Sequence, residues 1–224
     1  MTTIPEVRRA AYRMNSKKAP GIDGITADAV QKAIDAEPEA IVGLFNRCLE
    51  TGTFPVVWKQ ALVKAIPKPG KEDMTELKSY RPICLLPMLG KVLDSILITR
   101  IEHWIVNSGG GYNDGQYGFT RGRSTVDAAE KVVETIRTAK EEGDYCAIIS
   151  LDVTGAFDNA WWPMIIQQLE RRGCPANLLE TMRSYLRDRT ASIECRRRGT
   201  HAVPVRPTGG STGPTSSSTD SGMR

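Results

Sequence analysis

The run Tyr145-Cys146-Ala147-Ile148-Ile149-Ser150-Leu151 ends in Asp152 and continues as Val153-Thr154-Gly155-Ala156-Phe157-Asp158. An apolar stretch of this length, closed by an acid and then a glycine, predicts a buried strand that delivers a carboxylate to a sheet edge. An ionised carboxylate there needs a cation. The natural candidate is a hard divalent ion with oxygen ligands, typically one that carries substrate phosphates. The structural alternative is a strand-end acid that caps the next helix.

The chain has 224 residues, 40% of them hydrophobic and 25% charged, enough for one or two apolar cores in an ordinary globular protein. Its five cysteines, at 48, 84, 146, 174 and 195, are odd in number and contain no Cys-x-x-Cys pair. That argues against a disulfide framework or a zinc site and for a reducing compartment. Two histidines, His103 and His201, leave little for a His-based metal site or a Ser/His/Asp triad. No run reaches the roughly 18 apolar residues of a membrane span, and the N-terminus lacks a signal-peptide core. The net charge of +4 is spread unevenly. Thr51 to Lys71 holds Lys59, Lys64, Lys68 and Lys71 with no acid, and Arg183 to Arg206 holds seven arginines against Asp188 and Glu194. Such segments suit a polyanion, or else form a solvated basic face.

Punctuation and periodicity predict a mixture of helices and strands. Pro38 opens a helix carrying Ile41, Leu44, Phe45, Cys48 and Leu49, with Gly52 past its end. Leu62 to Ile66 reads as a strand entering the Pro67-Lys68-Pro69-Gly70 turn. Ile83 to Ile101 is apolar at helical period after Pro87, and Asn107 to Gly115 is a loop. Ser124 and Asp127 start a helix whose face comprises Val126, Ala129, Val132, Val133 and Ile136. Trp161, Trp162, Ile165, Ile166 and Leu169 form an amphipathic helix stopped by Gly173 and Pro175, for which Asp158 is the favoured N-cap. The two tryptophans read as core filling rather than base-stacking platforms. Leu178, Leu179, Met182, Tyr185 and Leu186 mark another helix. Thr190–Cys195 and His201–Val205 read as strands turning at Arg198-Gly199.

Five blocks then point one way. Lys18-Ala-Pro-Gly-Ile-Asp-Gly24, Ile66-Pro-Lys-Pro-Gly70, Ser79-Tyr-Arg-Pro-Ile83, Gln116-Tyr-Gly-Phe-Thr-Arg-Gly-Arg-Ser-Thr125 and Leu151-Asp-Val-Thr-Gly-Ala-Phe-Asp158 resemble, in order, the blocks of reverse transcriptases of non-LTR (type-1) retrotransposons. The run from Asp158 to Pro163 is similar to insect elements that insert into ribosomal RNA genes, and the resemblance spans roughly residues 15 to 206. It implies an α+β fold: the fingers and partial palm of a right-hand polymerase, with an incomplete antiparallel palm sheet and packed helices. The expected division is a helical extension over 1–50, a reverse transcriptase domain over 51–206, and an aberrant, disordered Gly/Ser/Thr-rich tail over 207–224.

The resemblance also implies the site. Asp152 would ligate two Mg2+ ions, of the kind that clamp entering and leaving oxygens, and the Val153 carbonyl would help hold one of them. Phe157 would lie under the sugar and leave no room for a 2′ hydroxyl; its structural alternative is core packing. Lys68 and Arg81 would grip the incoming triphosphate, a point charge and a planar fork. Gln116, Gly118, Phe119, Arg121 and Arg123 would place the template, with Gly118 and Gly122 allowing close backbone approach. The implied partners are template RNA, a DNA primer or target DNA, and deoxynucleoside triphosphates, with no membrane. The full-length protein would carry an endonuclease and act in the nucleus.

The departure from the family lies at Pro207-Thr208-Gly209-Gly210-Ser211-Thr212-Gly213-Pro214, where Thr208 stands in place of an expected glutamine. No paired aspartates follow, so a frame change or truncation near Pro207 is expected and the chain alone should be inactive. Two further readings remain: a nonenzymatic RNA-binding remnant, and a fragment of an intron maturase-like enzyme or RNA-templated RNA polymerase.

Overall fold

Thr3 begins the first helix by accepting a hydrogen bond from the Glu6 amide, 3.4 Å away, ahead of Pro5, whose missing N–H costs nothing in a first turn. The computed structural model describes residues 1–70, 73, 75–76, 79–108, 110–153, 156, 159–195 and 199–205. Within them α1 (Ile4–Tyr12), α2 (Ala27–Ala36) and α3 (Pro38–Glu50) lead through a short 3-10 turn, Val56–Trp58, into β1 (Gln60–Pro67) and β2 (Tyr80–Leu85). There follow α4 (Met88–Asn107), α5 (Thr125–Glu141), α6 (Trp162–Arg171), α7 (Ala176–Leu186), β3 (Thr190–Cys195) and β4 (Gly199–Pro204). Pro38 and Pro87 stand where proline starts a helix, and Gly52, with φ +61°, follows the end of α3.

Helix α4 organises the molecule because it is apolar almost all round, the pattern of a buried helix. Its Val92, Leu93 and Ile96 join one core with Val7 of α1, Ile34 of α2, Phe45 of α3, and Phe54 and Trp58. Its Leu97, Ile101 and Trp104 join a second with Ile166 of α6 and Leu178 of α7. Residues 1–50 thus share their core with the chain that follows. Phe54 links the regions, its ring edge-on to Trp58 at 6.1 Å and to Tyr185 at 5.0 Å between centroids. No helix among the described residues is long and apolar enough to cross a membrane.

The four-stranded sheet has the order β2-β1-β3-β4. Two pairings are antiparallel, with Val63 opposite Cys84 and Ile193 opposite His201, but β1 and β3 run parallel, with Ala61 opposite Ala191. The sheet is therefore mixed, correcting the expected antiparallel arrangement. A parallel neighbour requires a long crossover, which the helices between residues 88 and 186 supply.

Three other expectations fail. The run 145–151 is not a strand: Ile149 is 82% and Leu151 89% exposed. The sheet that forms is built from other segments, and a strand without a neighbour has nothing to receive its backbone hydrogen bonds. Helix α5, by contrast, forms as expected, and its face of Val126, Val132, Val133 and Ile136 is exposed. That helix rests on local terms: the reciprocal Ser124–Asp127 capping box, as expected, and a Lys131–Glu134 pair at 2.8 Å. The N-cap of α6 is Trp161, without a side-chain cap, rather than Asp158. Trp161 is 42% exposed, so it is only partly core filling. Asp158, Phe157 and residues 207–224 lie outside the described residues.

Candidate active site

The β1–β2 hairpin brings two of the expected cations to one end of the sheet. Ile66 pairs with Arg81 and Pro67 with Tyr80, and the Lys68 amide donates to the Ser79 carbonyl at 2.8 Å. Lys68 and Arg81 therefore stand on facing strands at the hairpin tip. Arg81 is exposed and Lys68 half-buried. The Ser79 hydroxyl donates to the Asp73 carbonyl. The hydroxyl and amide of Thr75 bind the Asp73 carboxylate at 2.6 and 2.8 Å and hold it below the usual carboxylate range.

The segment from Asn113 to Ser124 wraps around one guanidinium. Arg123 Nη1 donates to the carbonyls of Asp114 and, at 2.9 Å, Gln116, while its carbon sits 5.5 Å from the Tyr117 ring centroid. Arg123 thus clasps its own loop. Arg121 is exposed and makes no ion pair among the described residues. Gly122, with φ +78°, supplies the turn, and Phe119 sits at φ 55° with 90% of its surface exposed. The Gln116 amide donates to the Gly118 carbonyl at 3.4 Å, so four of the five expected template-contacting residues are outward-facing and Arg123 is half-buried.

Asp152 and Val153 lie on the exposed segment after α5, outside the sheet. No group of three His, Cys, Asp or Glu suited to a metal ion occurs among the described residues. Asp152 alone supplies one carboxylate, too little to hold Mg2+ against its own hydration. Among the described residues Asp152 therefore supplies one ligand of such a site and not a closed set.

A buried polar cluster that none of the sequence motifs contains lies where β1 and β3 begin. Lys59, taken above as part of a basic face, is only 3% exposed, and its carbonyl accepts from the Thr190 amide at 3.4 Å. Burial lowers its ammonium pKa, against the opposing charge of Asp188. Asp94, on α4, is pushed up by burial, against a hydrogen bond from Tyr185 and the charge of Arg189. Arg189 lies 4.5 Å from the Tyr185 ring centroid and donates to the Tyr185 carbonyl at 3.0 Å. The available signal was Asp94 itself, an acid directly after the buried Val92 and Leu93 of α4. The cleft between α6 and α7, lined by Trp162, Glu170, Arg183 and Leu186, lacks all the expected site residues.

Residues 66–219 match the family described as reverse transcriptase (RNA-dependent DNA polymerase). The chain is 34% identical, over 89% of its length, to a Drosophila melanogaster protein named "Putative 115 kDa protein in type-1 retrotransposable element R1DM", of which it covers 19%. It is 34% identical over 84% of its length to the same organism's "Probable RNA-directed DNA polymerase from transposon X-element", covering 20%. A third relative is the "Retrovirus-related Pol polyprotein from type-1 retrotransposable element R1" of Bradysia coprophila, 34% identical over 75% of the chain and covered to 16%. The chain spans about a fifth of the length of such relatives.

Proposed function

The chain belongs to the reverse transcriptase (RNA-dependent DNA polymerase) family, and on that premise we propose that it forms the fingers and first part of the palm of a non-LTR retrotransposon polymerase. In the full-length protein this region takes part in copying RNA into DNA from a nicked target. Residues 1–50 are a helical extension that shares its core with the domain formed by 51–206. The observation that carries the reading is the β1–β2 hairpin, which holds Lys68 and Arg81 on facing strands at its tip. A point charge and a planar fork so disposed suit a triphosphate. Phe157 excludes a 2′ hydroxyl, Val153 and Asp152 belong to the reacting end, and Gln116, Gly118, Phe119 and Arg121 face the template. Arg123 holds their loop.

When bound, magnesium would neutralise the triphosphate and activate the primer hydroxyl; Asp152 is the residue here that would contribute to holding it. The test is primer extension by the full-length protein on an RNA template. Asp152→Asn abolishes DNA synthesis while Lys68→Ala and Arg81→Ala raise the KM for deoxynucleotides. Unchanged kinetics in all three variants sink the assignment.

A second reading has its own observation, the lack of a three-ligand group among the described residues. On that reading the chain as it stands binds RNA without catalysis. Its binding is salt-sensitive, independent of magnesium and unaffected by Asp152→Asn.

A further inference from the structure

The geometry points to a binding groove for the phosphodiester backbone of a single-stranded nucleic acid between α1 and α4, lined by Arg9, Arg13, Ser95 and Thr99. The inference rests on the nucleic-acid reading above but adds a surface built from residues outside all five motifs.

Four observations carry it. Arg9 and Arg13 are one turn apart at the end of α1, both exposed, and neither has a carboxylate partner among the described residues. Opposite them, Ser95 and Thr99 line the other wall one turn apart on α4, the Thr99 hydroxyl donating to the Ser95 carbonyl at 2.7 Å. The acid lining this groove, Glu6, is already neutralised by Arg100, whose Nε and Nη2 each lie 2.8 Å from a carboxylate oxygen. Finally, polar side chains continue the groove in both directions. Arg9 and Thr99 also border the adjoining depression with Arg100, while Lys91, whose pKa burial lowers, precedes Ser95 by one turn.

On α4 the polar positions Lys91, Ser95, Thr99 and His103 recur every four residues, a track about 18 Å long at 1.5 Å per residue. A solvated basic face needs neither a groove nor a neutralised acid. A phosphate strand needs both, since a Glu6 carboxylate without its Arg100 partner would repel it. The core side of α1 is Val7, Ala10 and Ala11, so replacing the arginines leaves packing intact.

The test is the salt dependence of binding to a labelled oligoribonucleotide and to the matched oligodeoxyribonucleotide, followed by fluorescence anisotropy. Each single-strand phosphate contact contributes about 0.7 to the slope of log affinity against log salt, so Arg9→Gln/Arg13→Gln lowers the slope by about 1.4 and weakens low-salt binding roughly tenfold or more. Lys131→Gln/Lys140→Gln on α5 removes the same charge and leaves the slope unchanged. Should the double α1 variant unfold by circular dichroism, Arg13→Gln alone, outside the helix, reads half the effect. A loss on both polymers supports backbone recognition, and a loss on one supports the groove with that polymer as its ligand. An unchanged slope in variants of a chain that does bind overturns the groove alone, as does an equal loss in the α5 control. No binding of the wild-type chain to either polymer overturns the nucleic-acid reading as well.

Discussion

Arg100 on α4 grips Glu6 on α1 with two parallel hydrogen bonds of 2.8 Å, and the same Nη2 reaches the Met1 carbonyl at 2.9 Å. The pair is largely shielded, with side-chain exposures of 22% and 26%, and it ties the N-terminus to the helix that runs through both cores. The arginine's hydrogen bonds hold the Glu6 carboxyl below the usual range, against the opposing effect of burial. A lowered carboxylate adds stability above its unfolded pKa and loses it as pH falls through the folded value. Arg100→Met should therefore cost about 2 kcal/mol at neutral pH and flatten the decline in Tm below about pH 4.5. Thermal melts across that range, with Glu6→Gln as the matching variant, provide the measurement.

Asp94 carries the opposite sign. Burial raises its pKa, so its contribution is greatest below the unfolded value, near 3.9, and is lost as pH rises through the folded one. Asp94→Asn removes the buried charge yet can still accept from Tyr185. Its Tm at pH 7 should equal or exceed the wild type's, with a flatter profile above pH 4. A large loss at neutral pH would show that the ionised form is favoured by Arg189 after all.

Gly21, in the Lys18–Gly24 block, stands against the backbone before α4. A Cβ there would meet the Leu86 carbonyl carbon and the Pro87 nitrogen, each at 2.5 Å. Backbone cannot yield as a side-chain tip can, so Gly21→Ala should cost about 3 kcal/mol, read as a shift in the urea midpoint. Gly24→Ala meets no neighbour, and its cost comes from φ +69° alone.

Arg121 and Arg123 should separate in function. Arg123→Ala removes the clasp on the carbonyls of residues 114 and 116 and should speed amide exchange throughout the loop. Arg121→Ala should leave exchange unchanged and reduce the salt slope of RNA binding by about 0.7. Equal effects on both readouts would erase the distinction.

The purified 224-residue chain should give no magnesium-dependent primer extension on an RNA template, because Asp152 has no partner acids among the described residues. Asp152-dependent cDNA from this chain would refute that.

What the residues determined by themselves was local or patterned. Pro38 and Pro87 begin helices, Ser124 and Asp127 close a capping box, and residues 190–195 pair with 199–204, a strand that starts two residues before the expected His201. Each depends on neighbours a few positions away, and the five ordered blocks carried the family in the same linear way. Tertiary structure alone decided the parallel pairing of β1 with β3, the burial of Lys59 beside Asp188, the closeness of Gly21 to Pro87 and the exposure of residues 145–151. A helix satisfies its own backbone, so its signals are written in one segment. A strand needs a second segment to receive its hydrogen bonds, and burial depends on what the rest of the chain lays over it.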